Sequence, residues 1–292
     1  MTADKMLITG GTGLLGTDLT AYFKKKFDVK TVGSADCDIT DYNQVMEYLV
    51  EYQPQVVLHS AAIANVDLCE TDKNLANRVN IMGSENIARA CGEIKSQLVY
   101  YSTDYVFDGN KGTAYNESDV ANPINYYGKS KLDGEKKVAE FCENTAILRI
   151  AWLYSPNPKA FINKLIKAGQ EQIELKKSGK NFEPIKIVSD QFGSPTYTLD
   201  IARQTDKIIT SGKTGLYHCV AGGAVSRYEL ARYIFDYLSL PVELNGCSMN
   251  DFQWRAPRPK FTALRNNRLE DENINFMRDY ESALIDFLGN RA

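Results

Sequence analysis

The sequence predicts an α/β protein: a Rossmann-like, doubly wound parallel sheet with a smaller C-terminal substrate-binding subdomain. Three observations carry that expectation. A short apolar run opens into glycines spaced G-x-x-G-x-x-G at Gly10, Gly13 and Gly16. Strand-like and helix-like segments then alternate as far as Ser102. Later, short β-like runs around a Lys/Gly/Asn loop interrupt the alternation, as an insertion for substrate does.

The first element, LITGGTGLLG from Leu7 to Gly16, reads as strand, tight turn and helix start, because Leu14, Leu15, Leu19 and Phe23 recur at helical spacing. Gly10 supplies the turn, Gly13 lets the backbone approach a pyrophosphate, and Gly16 lets the helix pack closely on the strand. The anion then rests on the helix N-terminus, where unpaired N–H groups favour it. Val29 to Val32 reads as a second strand. Its end, where such folds present an acidic residue to the adenosine ribose, carries Gly33 and Ser34, so the choice between NADH and NADPH stays open.

Thr40 is expected to cap a helix whose apolar face is Val45, Tyr48, Leu49 and Tyr52, and Val56 to His59 forms the third strand. His59, alone at a strand end, reads first as a core residue. The run Ser60 to Asp67 would let a flat ring or pyrophosphate lie close to the backbone. Leu75, Val79, Met82, Ile87, Ala90 and Ile94 predict one long helix before the strand Gln97 to Ser102. A sheet so wound binds ligands at the carboxyl ends of its strands.

At 292 residues and 43% apolar content the chain can fill a sizeable core. A net charge of −3 and a pI near 5.6 exclude an electrostatic footprint for nucleic acid. No apolar run approaches the roughly 20 residues of a membrane span, and MTADK leads directly into the first strand, so a cytoplasmic protein without export signal is expected. The six cysteines are scattered without a C-x-x-C pair or a Cys/His cluster, which points to reduced thiols and commits no residue to a metal. The assembly stays open, a homodimer among the alternatives.

The chemistry gathers after the fourth strand. Ser102-Thr103-Asp104 ends it, and NPINYYGKSKLDGEK follows from Asn122 to Lys136. Tyr127 and Lys131 stand four apart, hence on one helix face one turn apart. An ammonium and a positive nicotinamide ring near Tyr127 would favour its phenolate, and Thr103 would hold a carbonyl oxygen to which the tyrosine passes a proton.

These features resemble the extended short-chain dehydrogenase/reductases. STDYVFDG at Ser102–Gly109, YGKSKLDGE at Tyr127–Glu135, LRIAWLY at Leu148–Tyr154, DQFGSPT at Asp190–Thr196 and LYHCVAGG at Leu216–Gly223 are similar, within that group, to the dTDP-4-dehydrorhamnose reductases. The resemblance implies a reductase that uses NADPH or NADH on a dTDP-sugar. It implies Thr103, Tyr127 and Lys131 as the catalytic triad. Gly10, Gly13, Leu14, Leu15, Gly16, Asp38, Ile39, Ala61, Ala62 and Ile63 would line the cofactor with Tyr127 and Lys131, and Tyr105, Trp152, Asp190 and Arg258 would face the sugar nucleotide. Ser155 departs from the family, which often has glycine there. The methionine adenosyltransferase β subunit, a regulatory protein, is similar across the same motifs, and sugar-nucleotide epimerases and dehydratases share the turn and triad.

In the C-terminal half Ala146 to Ile150 continues the alternation, and Ile173 to Leu175 and Ile185 to Val188 read as the short interrupting strands. A helix at Leu199, Ala202 and Ile209, a strand at Leu216 to Val220, and a Ser226/Glu229 capping box before Leu230, Ile234 and Tyr237 follow, with a last helix near Arg278 to Leu288. The expected division is a cofactor domain over residues 1–155 completed by about 196–238, and a substrate subdomain over about 156–195 and 239–292. Arg255 and Arg258, in the stretch WRAPRPK, read either as surface charge or, in a sugar-nucleotide enzyme, as natural diphosphate clamps, since guanidinium forks match phosphate oxygens.

Overall fold

The computed structural model describes residues 4–290. In chain order its strands are β1 (Lys5–Thr9), β2 (Asp28–Val32), β3 (Val56–His59), β4 (Gln97–Thr103), β5 (Thr145–Ile150), β6 (Leu153–Tyr154), β7 (Ile185–Val188), β8 (Phe192–Gly193), β9 (Thr196–Tyr197), β10 (Gly215–His218), β11 (Val225–Ser226) and β12 (Leu244–Cys247). Its helices are α1 (Leu14–Phe23), α2 (Tyr42–Tyr52), α3 (Val66–Thr71), α4 (Lys73–Ala76), α5 (Gly83–Ile94), α6 (Tyr126–Phe141), α7 (Phe161–Lys177), α8 (Thr198–Thr210), α9 (Arg227–Tyr237), α10 (Asn267–Asp271) and α11 (Tyr280–Gly289). Among these helices none is long and apolar enough to cross a membrane.

Six strands form one parallel sheet in the order β10-β5-β4-β3-β1-β2. Alternate residues of each strand face opposite sides, so a strand buried on both faces must be apolar throughout. Met6 and Ile8 of β1 and Val99 and Tyr101 of β4 pack with Leu15, Leu19 and Phe23 of α1 and Ile201 and Ile208 of α8. On the other face Leu7, Val57, Leu98 and Tyr100 pack with α2, α5 and α6 through Val45, Leu49, Ile87 and Val138. A third core joins α7, α9, α11 and β7, with Ile162, Ile166, Ile187, Leu230, Ile234 and Phe287.

Several local expectations change in the structure. Asp41, not Thr40, caps α2, accepting from the N–H groups of Asn43 and Gln44, while Thr40 donates to Asp38. The helix from Lys73 to Ile94 passes through a wide π turn at Asn77–Met82, which shifts the buried face, so Met82 is exposed and Asn80 is buried. Ile173 to Leu175 is no strand: it lies in the 17-residue α7, and a three-residue apolar run is too short to separate strand from helix. The segments also cross over. Helix α9, expected with the main sheet, belongs to the third core, whereas Leu269 and Ile274 from the C-terminal stretch pack under the sheet.

Close backbone approach fixes where the site-bearing helices sit. A Cβ at Gly16 would lie 2.2 Å from the Gly10 carbonyl oxygen, and one at Gly128, beside Tyr127, would lie 2.0 Å from the backbone oxygen of Tyr105. Gly128→Ala is therefore expected to push the start of α6 off the turn that follows β4 and to lower stability by roughly 1–3 kcal/mol. Urea unfolding checks this, and a midpoint unchanged from wild type would show that α6 is free to shift.

Candidate active site

Gly10 takes a left-handed φ of +70°, and its N–H donates to the Val32 carbonyl at 2.9 Å, which ties the turn to the end of β2. Gly13 precedes α1 with no side-chain cap. A Cβ there would meet the Gly10 carbonyl at 3.1 Å and otherwise open space, so the glycine leaves a cradle that any side chain would fill. The cradle belongs to a cavity of about 400 Å³ lined by Gly10, Gly13, Leu14, Leu15, Gly16 and Ala62 on one side, and by Thr103, Tyr105, Tyr127, Lys131 and Trp152 on the other. These residues fit a dinucleotide, with its pyrophosphate on the glycine turn and its nicotinamide toward Tyr127.

The other expected cofactor residues, Asp38, Ile39, Ala61 and Ile63, are not in the lining of this cavity. The Ala61 backbone abuts Gly10, and Ile63 exchanges hydrogen bonds with the Asn80 side chain at 2.8 and 3.1 Å. Ile39 packs against Gly83, and Asp38 is held below the usual carboxylate range by the backbone and side-chain hydrogen bonds of Thr40. At the ribose end, Asp36 folds back to accept the Gly33 N–H at 2.8 Å.

Helix α6 is capped by Asn125, whose side chain accepts from the Gly128 N–H, and this starts the helix one residue before Tyr127. Tyr127 and Lys131 thus face the cavity together, opposite Thr103 at the end of β4. Burial pushes the Tyr127 phenol up, partly opposed by its hydrogen bond with Thr103. Burial pulls Lys131 down to about 7, against the attraction of Glu135. Desolvation outweighs the Thr103 hydrogen bond, so Tyr127 is a neutral phenol rather than the expected phenolate, and this is the form that can give up a proton.

Thr103 Oγ1 donates to Asp104 Oδ1 at 3.1 Å and accepts the Tyr105 N–H at 3.2 Å. Asp104, pushed up to about 6 by burial, also accepts from Thr262 at 2.5 Å. His59 is a structural residue: its Nδ1 lies 2.7 Å from Thr9 Oγ1, its Nε2 lies 3.1 Å from Ser84 Oγ, and burial takes it down to about 3. Among the described residues no group of three or more His, Cys, Asp or Glu could hold a metal.

On the substrate side, Tyr105 stands edge-on to Tyr127 with ring centroids 5.9 Å apart, and Trp152, at a left-handed φ of +42°, closes the cavity. Asp190 is turned away, accepting from Ser248 Oγ at 2.6 Å and the Met249 N–H at 2.7 Å, so it braces a loop. Arg258 borders a second cavity of about 290 Å³ and pairs with Asp67 at 3.0 Å. Sequence reasoning missed Arg227 and Gln191, which line that cavity; the capping box made Arg227 look like an ordinary first-turn residue, and Gln191 sat unexamined inside DQFGSPT.

A glycine cradle for a dinucleotide, facing a tyrosine and a lysine one helical turn apart, places this protein in the extended short-chain dehydrogenase/reductase class of nicotinamide-dependent oxidoreductases. The RmlD substrate binding domain model matches residues 4–292. The chain is 32% identical to the spore coat polysaccharide biosynthesis protein SpsK of Bacillus subtilis, over 99% of this chain and 98% of the relative. It is 32% identical to a dTDP-4-keto-6-deoxy-D-glucose reductase of Streptomyces niveus, over 96% and 95%. Among solved structures it superposes with a TM-score of 0.91 on a dTDP-4-dehydrorhamnose reductase of Clostridium acetobutylicum, at 35% identity and 98% coverage of each chain. The score is 0.92 with the Bacillus anthracis enzyme in complex with NADP, at 34% identity and coverage of 98% and 99%. The chain belongs to the dTDP-4-dehydrorhamnose reductase family.

Two measurements follow from this geometry. Gly13→Val should block cofactor binding while leaving the fold intact; equal NADPH affinity in mutant and wild type, by fluorescence titration, would sink the assignment. Burial brings Lys131 down to about 7, and its protonated form attracts the phosphate-bearing cofactor more strongly. Cofactor affinity should therefore be highest below about pH 7 and fall several-fold by about pH 9, and Lys131→Met should flatten that slope. A pH-independent wild-type dissociation constant would contradict it.

Proposed function

We propose that this protein reduces the 4-keto group of dTDP-4-dehydro-L-rhamnose to give dTDP-L-rhamnose, using NADPH or NADH. The observation that carries the reading is the convergence of Thr103, Tyr127 and Lys131 on one cavity with the glycine turn. The bound nicotinamide supplies the hydride. Tyr127, neutral at rest, donates its proton to the oxygen of the carbonyl being reduced, while Thr103 orients that oxygen. Lys131, a turn away, holds the cofactor ribose and stabilises the phenolate left behind. Both cofactors suit the ribose end, where Gly33 and Ser34 offer no outward carboxylate against a 2′-phosphate and no arginine to demand one. A reducing, cytoplasmic setting suits six free cysteines.

The test is oxidation of NADPH and of NADH with freshly generated dTDP-4-dehydro-L-rhamnose, with dTDP-4-keto-6-deoxy-D-glucose as competitor substrate. Turnover is expected with the rhamnose precursor; its absence beside normal cofactor binding would favour a regulatory subunit. Tyr127→Phe should lower kcat by about a hundredfold or more with cofactor affinity retained, because it removes the proton and keeps the ring. Activity within about tenfold of wild type, about 1.4 kcal/mol of barrier, would exclude Tyr127 as the acid.

A further inference from the structure

The second cavity lies beyond Trp152, and Arg227 forms a wall of it with Tyr105, Lys186, Gln191 and Arg258. The Arg227 guanidinium carbon is 4.0 Å from the centroid of the Trp152 ring and 5.4 Å from that of Phe161, and its Nε donates to Gln191 Oε1 at 2.7 Å. Burial pulls this arginine below its ordinary range, against the attraction of Tyr105 and Asp104 and with the repulsion of Arg258. Among the described residues no carboxylate comes within ion-pair distance of it. A partly buried cation without a carboxylate partner, on the wall of a cavity, is a charge that an anionic ligand would pair.

Arg258 stands differently. Its Nη2 lies 3.0 Å from Asp67 Oδ2 and its Nη1 donates to the Ala256 carbonyl at 3.3 Å. Asp67 also accepts the backbone N–H groups of Arg255 and Ala256, at 3.1 and 3.0 Å. The charge of Arg258 is already matched, and the pair fastens the 255–258 loop to α3.

We propose that Arg227 is the principal diphosphate-binding residue for the nucleoside diphosphate of the substrate, with Arg258 the brace of the adjoining loop. This rests on the nucleotide-sugar reading above. Tyr105 borders both cavities and Trp152 separates Arg227 from the larger one, so a diphosphate on Arg227 leaves the attached sugar within the cavity of Tyr127. The stacked guanidinium is preorganised: Trp152, Gln191 and a hydrogen bond with Tyr105 fix its plane, and the edge it turns to the cavity matches phosphate oxygens.

The experiment is calorimetric titration of the full chain with dTDP and with inorganic pyrophosphate. Arg227→Met, which keeps an apolar stem against Trp152, should weaken dTDP about thirtyfold, about 2 kcal/mol, with NADPH affinity unchanged as the control for folding. Arg227→Lys should recover part of that loss, and Arg258→Met should weaken dTDP only a few-fold. If Arg227→Met binds dTDP within twofold of wild type while Arg258→Met loses tenfold or more, the diphosphate sits on Arg258 and the proposal is overturned. Wild type that binds pyrophosphate through Arg227 but not dTDP would uphold the anion site and remove the thymidine nucleotide reading. Wild type that binds neither would overturn both.

Discussion

The buried ion pair between Arg149 of β5 and Glu135 of α6 is the constraint on which the active site depends. Arg149 donates through Nε and Nη2 to both Glu135 oxygens, at 2.9 and 2.7 Å, and Ser102 of β4 donates to the same carboxylate. A buried carboxylate cannot shed these partners without stranding a charge, so the register of α6 against β4 and β5 is locked. Glu135 stands one turn beyond Lys131, which stands one turn beyond Tyr127. Locking Glu135 against Ser102 therefore holds the tyrosine and lysine opposite Thr103, the next residue of the same strand.

That lock sits beside a pocket dry enough to change its ionisable groups. The phenol of Tyr127 and the carboxyl of Asp104 are pushed up by burial, and Lys131 is pulled down to about 7. In each case burial favours the uncharged form, so the phenol keeps its proton while Lys131 and Asp104 are brought toward neutrality. The cavity beyond Trp152 has the opposite character, holding the permanent cation Arg227, which resists losing its proton even when desolvated. The two neighbouring regions suit different parts of one substrate, a carbonyl to be reduced and an anion to be held.

Much of the fold was legible in the residues. Gly10, Gly13 and Gly16 announced the first turn, and Tyr127 with Lys131 announced the helix that borders the cavity, because both signals are local and follow from chain geometry. The capping box of Ser226 and Glu229 was equally readable and is present, with both reciprocal hydrogen bonds formed. The failures have a common cause. The Ile173 run looked like a strand because its helical partners, Ile162, Leu165 and Ile166, lie too far back for a short window, and Met82 was misplaced because a π turn leaves no periodic mark.

By itself, then, the sequence determined the class of fold, the glycine turn and the pairing of Tyr127 with Lys131 on one helix face, each encoded within a few successive residues. Only the tertiary structure decided which charges are already matched. Asp67 and Arg258 are 191 positions apart and meet at 3.0 Å, whereas Arg227 packs on Trp152 and Gln191 with no carboxylate at ion-pair distance among the described residues. The charge state of the pocket was decided there too, since burial of Tyr127 and Lys131 comes from helices and strands brought in from distant parts of the chain. Desolvation and charge pairing depend on distance in space, and spacing along the chain encodes neither.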